Sequence, residues 1–341
     1  MEMAHGYRFR LERYQGIKTR HTCPQCGKPR QFTRYQDTET GEHLADHVGR
    51  CERVNQCGYH YKPSEYFRDN PVQKPVNASA KRLTAKPAKA LIPVDFIPKS
   101  VFEATTGRFD DNLSLFLIKK FGRYAVREAF KRLSVGTSRH WPGATVFWQV
   151  DAAGNVRTGK VILYDRSMGK RIKEPYPHVT WAHTLLKASH SIPEGFQLSQ
   201  TLFGMNQLAT CNGRAVVIVE AEKTAVICTI AFPEFTWMAC GGITMLSAER
   251  LAPLKHTKII LYPDLNGAEA WQQKADQLSA LGFDVSVSYL LERRFPDLKK
   301  TGLDIADFLL QEPFQKPPIE TMIEKNPMLL SLIERFDLML V

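Results

Sequence analysis

Between residues 215 and 289 four short apolar runs alternate with amphipathic stretches, and this order constrains the fold more than any other feature of the chain. The runs are Ala215 to Val219, Phe235 to Ala239, Thr257 to Tyr262 and Val285 to Tyr289. The first is continuously apolar and too short for a buried helix, which is how a strand covered on both faces reads. Lys223 to Ile230, Ser247 to Leu254 and Gly267 to Leu281 carry helical spacing. Ser247 is placed to cap its helix, and Gly282 to close the last one. A βαβαβαβ succession predicts an α/β fold: a parallel sheet with helices on both faces, joined by crossover connections.

The preceding region, 94–200, reads differently. Leu113, Leu115, Phe116, Ile118 and Phe121 recur with helical period, as do Ala125, Val126, Ala129 and Phe130. Val146 to Val150 and Val156 to Tyr164 then flank the turn Asp151-Ala152-Ala153-Gly154-Asn155, the chemistry of a β-hairpin. An α+β subdomain is expected here. Within 71–90 lie three prolines and five Lys or Arg and no acidic residue, so residues 63–93 read as a basic linker that buries too little to order itself. The expected organisation is a Cys-rich module at 1–62, the linker at 63–93, the α+β subdomain at 94–200, the parallel-sheet domain at 201–311 and a peripheral helical tail at 312–341.

Four of the seven cysteines fall in the first 60 residues: Cys23, Cys26, Cys51 and Cys57. Cys23-Pro24-Gln25-Cys26-Gly27 is a knuckle that holds two thiolates on one tight turn, and Cys51 with Cys57-Gly58 supplies a second pair. Four soft ligands suit tetrahedral Zn²⁺, and a module this small needs the metal's folding energy. A redox Cys-x-x-Cys pair would open a helix, but no helix signal follows Cys26. The wider spacing of the second pair leaves His60 or His47 as alternatives to one cysteine. The alternating basic and aromatic residues Arg30, Gln31, Phe32, Arg34 and Tyr35 read either as a stacking and charge platform for single strands or as a solvated strand face. Cys211, Cys228 and Cys240 sit in apolar runs and read as small core residues.

The net charge of +11 favours a polyanionic partner. No run approaches the 18 to 20 uncharged apolar residues, roughly, that a membrane helix needs. The N-terminus lacks the apolar core of a signal peptide, and a cytoplasmic location is expected.

Glu220 ends the first apolar run, Asp264 follows the third, and Asp304 and Asp307 lie in Leu303-Asp304-Ile305-Ala306-Asp307-Phe308. Open parallel sheets place their sites at the C-terminal ends of strands. Carboxylates gathered there suit Mg²⁺ or Mn²⁺ and phosphoryl transfer. Each acid also has a plain alternative: Glu222 an exposed helix-start acid, Asp304 an N-cap, Asp264 a turn residue.

These motifs resemble those of Toprim domains. Val216-Val217-Ile218-Val219-Glu220-Ala221-Glu222-Lys223-Thr224-Ala225 is similar to the first Toprim motif, and Leu261-Tyr262-Pro263-Asp264-Leu265-Asn266-Gly267 to the second. Leu202-Phe203-Gly204-Met205, upstream of the first strand, resembles an element of the DnaG-type primases. The hairpin from Phe147 to Arg171, with Gly154, Gly159-Lys160 and Gly169-Lys170-Arg171, resembles their basic hairpin. With an N-terminal zinc ribbon, the order of parts resembles Toprim proteins of bacterial mobile elements. The resemblance covers most of residues 15–311. It implies divalent-metal-dependent nucleotidyl transfer on single-stranded DNA in replication or mobilisation, with nucleotides as substrates and a replicative or mobile-element helicase as partner. Glu220, Asp264, Asp304 and Asp307 would be the catalytic set, Glu220 and Asp264 the divalent ligands, and Arg157, Lys160, Lys170 and Arg171 the phosphate contacts. The chain departs from the pattern where Thr224 replaces an acidic residue and Asn266 the second carboxylate of Asp-x-Asp. A non-catalytic nucleic-acid-binding module and a Toprim nuclease therefore stand as alternative readings.

Overall fold

The computed structural model describes residues 8–53, 56–70, 94–298, 301–336 and 338. The chain divides into two compact units, Met1–Ala90 and Leu91–Val341. Most of the basic linker, residues 71–93, lies outside the described residues.

The N-terminal unit is an antiparallel sheet in the order β1 (Phe9–Leu11), β2 (Phe32–Asp37), β3 (Gly49–Cys51) and β4 (His60–Tyr61). Its small core is Phe32, fully buried, packed with the cysteines and Tyr59. Phe32 is thus withdrawn from any stacking platform. Tyr35 Oη is tied to His60 Nε2 at 2.9 Å, and Arg34 to Asp46 at 3.0 Å, so that strand serves the module's own packing. The linker reading began too early: Pro63–Asp69 forms a helix, α1, with Pro63 in its first turn and Glu65 accepting from the Lys62 N–H.

The C-terminal unit opens with helices α2 (Lys99–Glu103), α3 (Asn112–Phe121) and α4 (Arg123–Leu133). An antiparallel sheet follows, ordered β5 (Val135–Ser138), β6 (Ala144–Val150), β7 (Val156–Ile162) and β8 (Val179–Trp181). β6 and β7 are the expected hairpin. Asp151 holds the turn by accepting from the Ala153 and Asn155 N–H groups, and the register shifts at Gln149/Val150. Gly159 is required by space, since a Cβ there would meet the Trp148 ring at 2.7 Å. Helix α5 (Ala182–Ala188) packs on β7.

The parallel sheet is built as the alternation predicts, from β9 (Val216–Val219), α6 (Glu222–Ala231), β10 (Thr236–Ala239), α7 (Ala248–Leu251), β11 (Ile259–Leu261), α8 (Ala268–Ala280) and β12 (Val285–Val287), with strand order β10-β9-β11-β12. Every pairing is parallel. The fold is thus a mixed α/β one, with helices on both faces of this sheet. Val217 and Val219 face one core, shared with Ala225 and Val226 of α6. Val216 and Ile218 face the other, with Leu251 of α7 and Trp271, Ala275 and Leu278 of α8. This double coverage explains why β9 is uniformly apolar. The first core also takes in Phe147 and Ile162 of the antiparallel sheet and Tyr164 just beyond β7, so both sheets share one hydrophobic interior. Phe203 joins them: it bridges Ala239 at the sheet edge and meets Phe147 edge-on at 5.5 Å.

After α9 (Leu290–Arg294) comes α10 (Ile305–Gln311), which packs on α6. The tail forms α11 (Pro318–Lys325) and α12 (Met328–Phe336). It is more integrated than its sequence suggests. Helix α4 starts at Gly122, which has no side chain to cap it, and Glu320 of α11 supplies the missing acceptor to the Ala125 N–H at 2.8 Å. Glu320 is 1 % exposed, and a Cβ on Gly122 would occupy the space of its carboxylate.

Candidate zinc site and acidic cleft

The four N-terminal cysteines converge with all their sulfurs within 4.8 Å of one another. In the first knuckle the Gly27 N–H donates to Cys23 O at 2.9 Å, and Gly27 takes φ +64°, where L side chains are strained. Cys57 N–H donates to Arg53 O, and Gly58 repeats the left-handed turn at φ +68°. Cys23 and Cys57 Sγ stand 3.7 Å apart. A tetrahedron with Zn–S bonds of about 2.3 Å has edges of about 3.8 Å, so the thiols fit a zinc ion. The Lys28 N–H draws the Cys26 thiol down to about 6, while burial pushes the Cys51 thiol up to about 12, the cost a bound dication offsets. The alternative ligands are engaged elsewhere: His60 bonds Tyr35 and His47 stacks on Tyr61. The zinc here is structural, since four sulfurs leave no open position.

In the C-terminal unit a cleft of about 770 Å³ opens between the C-terminal ends of the parallel strands and the basic end of the hairpin region. Its lining brings together Glu220, Asp264, Asp304 and Asp307 with Lys160, Lys170 and Arg171. Glu220 follows β9, and its carbonyl accepts from the Gly241 N–H at 2.7 Å, which folds the loop after β10 under it. Asp264 follows β11. The next residue, Leu265, donates its N–H to Leu303 O at 2.9 Å, and this one bond carries Asp304 across to Asp264.

Asp304 and Asp307 stand at a helix start rather than a strand end. Asp304 caps α10, its Oδ1 accepting from the Asp307 N–H, while Asp307 Oδ2 accepts from the Asp304 N–H. The second oxygen of Asp304 accepts from the Thr224 hydroxyl. Thr224 therefore holds a neighbouring acid in place. The side chains of Glu220 and Asp264 make no hydrogen bond or ion pair among the described residues. Burial, then the charges of Asp304, Glu220 and Asp307, raises the Asp264 carboxyl to about 7. Burial also raises Asp304. Two free hard-oxygen donors beside two bonded ones suit a divalent ion that keeps several waters, as Mg²⁺ does. No three oxygens of this set approach one another as closely as the four sulfurs do.

The basic residues separate into three roles. Lys160 is bonded through Nζ to both oxygens of Glu222 at 3.1 Å. Glu222 is only 4 % exposed, the reverse of the solvent-facing acid its helix-start position suggested. This pair escaped sequence reasoning because Lys160 and Glu222 lie 62 residues apart; a lone lysine following glycine in an apolar strand was the available sign. Lys170 and Arg171, with Lys173, are exposed on the cleft lining and free of ion pairs among the described residues. Arg157 lies outside the lining: its guanidinium pairs with Asp151 at 2.7 Å and covers the Phe96 ring. Asn266 is exposed, outside the lining, and left-handed at φ +73°, a turn conformation asparagine tolerates. Cys228 and Cys240 are buried core residues, and Cys211 is partly buried.

The profile of a family of zinc beta-ribbon fingers matches residues 7–72, and that of a domain of unknown function, DUF6371, matches residues 111–265. No curated protein matches the chain. Among solved structures it is similar to the primase fragment of the bacteriophage T7 primase-helicase protein, with 15 % identity, a TM-score of 0.35, and coverage of 83 % of this chain and 96 % of that one. It is similar to the DnaG catalytic core, with 11 % identity, a TM-score of 0.41 and coverage of 62 % and 80 %. The RNA polymerase domain of Mycobacterium tuberculosis primase DnaG is similar too, at 15 % identity, a TM-score of 0.39 and coverage of 62 % and 77 %.

Proposed function

We propose that the C-terminal unit is a Toprim-type primase-like domain that performs divalent-metal-dependent nucleotidyl transfer on single-stranded DNA. The observation that carries this reading is the unpartnered pair Glu220 and Asp264, at the ends of adjacent parallel strands, facing exposed cations across one cleft. In the reaction a 3′-hydroxyl attacks the α-phosphorus of a nucleoside triphosphate, and pyrophosphate leaves. Glu220 and Asp264 would hold the divalent ion, which supplies charge neutralisation at the phosphates when bound. Asp304 and Asp307 add negative potential, and Thr224 fixes the orientation of Asp304. Lys170, Arg171 and Lys173 bind template or nucleotide phosphates. Lys160 acts through Glu222 and keeps that buried carboxylate neutralised. The resemblance of the sequence motifs to those of Toprim primases supports the same reading, as does a structural zinc module before the domain. The partner implied is a replicative or mobile-element helicase.

A binding module without catalysis is favoured by one observation. Asp304 commits one oxygen to capping α10 and the other to Thr224, Asp307 commits one to the cap, and Asn266 stands outside the cleft, so fewer carboxylate oxygens are free than a two-ion site uses. The test is synthesis. The whole protein is incubated with single-stranded DNA, labelled ribonucleotides or deoxyribonucleotides, and Mg²⁺ or Mn²⁺. Short labelled oligomers, absent with Glu220→Gln, are expected. Tight DNA binding with no product under either ion would leave the binding module, and cleavage of the DNA instead would indicate a nuclease.

A further inference from the structure

The N-terminal unit holds a second cluster that the four thiols do not use. Glu12, His21 and His43 come from three segments, and each is fastened by its backbone to β2. The Glu12 N–H donates to Arg34 O at 3.0 Å. His21 donates to Phe32 O at 2.8 Å and accepts from Phe32 at 3.0 Å. His43 bridges Gln36. Their anchors are alternate residues of one strand, which delivers the three side chains to one place.

There the ligand atoms converge. Glu12 Oε2 lies 3.0 Å from His43 Nε2 and 3.5 Å from His21 Nε2, and all three atoms lie within 4.8 Å of one another. A tetrahedral site with bonds of about 2.05 Å to nitrogen and oxygen has edges of about 3.3 Å, which these separations bracket. His21 Nε2 is shielded from solvent and has no hydrogen bond. The rings meet edge to face at 5.3 Å, so neither blocks the other's nitrogen. The nearby cation, Arg34, is engaged by Asp46 through both its carboxylate and its carbonyl.

We infer that Glu12, His21 and His43 form a second metal site, binding a zinc-class divalent ion through two imidazoles and one carboxylate, with water completing the tetrahedron. Two imidazoles select this class over Mg²⁺. Three ligands and one open position make the site weaker than the four-thiolate one and exchangeable.

Cobalt distinguishes the two sites, because only thiolate ligation gives intense sulfur-to-metal charge transfer. The full-length protein carrying Glu220→Gln and Asp264→Asn, which removes both proposed ion ligands of the cleft, is stripped of metal under reducing conditions and should then take up two Co²⁺ per chain. One gives the charge-transfer band and the other adds only weak ligand-field absorption. In buffered excess Zn²⁺ it should retain two zinc ions, and Glu12→Gln, His21→Ala and His43→Ala should each retain one, with the charge-transfer band of the cobalt form unchanged. Should His21→Ala disturb the knuckle two residues away and lose that band, His43→Ala decides, because His43 lies in the β2–β3 connection. Saturation of this cleft-substituted protein with one metal overturns the inference, as does a second metal in it that survives His43→Ala and Glu12→Gln.

Discussion

In the N-terminal unit the four cysteine sulfurs already stand at tetrahedral spacing, with Cys23 and Cys57 Sγ 3.7 Å apart. In the C-terminal cleft Glu220 and Asp264 are free, Asp304 and Asp307 are bonded to backbone and Thr224, and no three oxygens gather as tightly. Softness and hardness of the ligands account for the contrast. Soft thiolates on glycine-ended knuckles are drawn around one ion, which then becomes part of the fold. Hard carboxylates repel one another, and on the proposed function the ion they would take keeps waters and shares substrate phosphates. The first arrangement is complete in the protein alone; on the proposed function the second would be completed by what it binds.

That contrast predicts very unequal consequences of losing one ligand. Cys23→Ser should release the thiolate-bound zinc and unfold the N-terminal unit, because structural zinc contributes on the order of 10 kcal/mol to modules of this kind. The C-terminal unit should melt as before. Zinc analysis with limited proteolysis checks both; an intact, protease-resistant N-terminal unit without zinc would contradict the account.

In the cleft, Glu220→Gln should leave the fold intact and reduce nucleotidyl transfer by about 100-fold or more, the scale of losing one electrostatic partner of a transition state. Affinity for single-stranded DNA should stay within about two-fold, since phosphate contacts come from the opposite wall.

Asp264 sharpens the same point through stability. Its carboxyl is raised from 3.8 to about 7, mainly by burial. A raised acid pKa stabilises the folded state at low pH, and that contribution is lost as pH rises through the folded value. At about 1.4 kcal/mol per unit, the penalty for the ionised form is on the order of 4 kcal/mol. Without Mg²⁺ or Mn²⁺, the unfolding free energy of wild type should therefore fall relative to Asp264→Asn between about pH 4 and pH 7 and level off above. Added Mg²⁺ should reverse the fall. Parallel pH profiles for the two proteins would remove the crowded-carboxylate account.

Two smaller effects complete the series. The double substitution Lys170→Ala, Arg171→Ala should weaken single-strand binding and lower its salt slope by roughly 1.4, about 0.7 per contact. Lys160→Ala should instead act on the buried Glu222 and change stability more than the slope. Asn266→Asp should leave divalent affinity unchanged, because Asn266 is exposed in a turn and does not line the cleft. A marked gain would mean that the loop after β11 rearranges on binding metal.

The parallel sheet was readable in the sequence because burial on both faces leaves continuous apolar runs such as Val216–Val219, a local signal. The two knuckles were readable for a similar reason, since ligand pairs on one turn must be close in sequence. The features that escaped all join distant segments: Lys160 with Glu222, Thr224 with Asp304, Glu320 capping α4. A carboxylate at a helix start reads as exposed unless the strand that buries it is known. Asp304 shows the converse. Its capping role was visible in sequence, and the structure adds that the cap borders the cleft.

Manganese binding to the whole protein, followed by electron paramagnetic resonance, tests the central claim most directly. Wild type should bind Mn²⁺ in the cleft, and more tightly once nucleoside triphosphate is present, because the phosphates supply the ligands that the spread carboxylates lack. Glu220→Gln and Asp264→Asn should each abolish that nucleotide-dependent gain. Binding that is indifferent to nucleotide, or unchanged by both substitutions, would contradict the account.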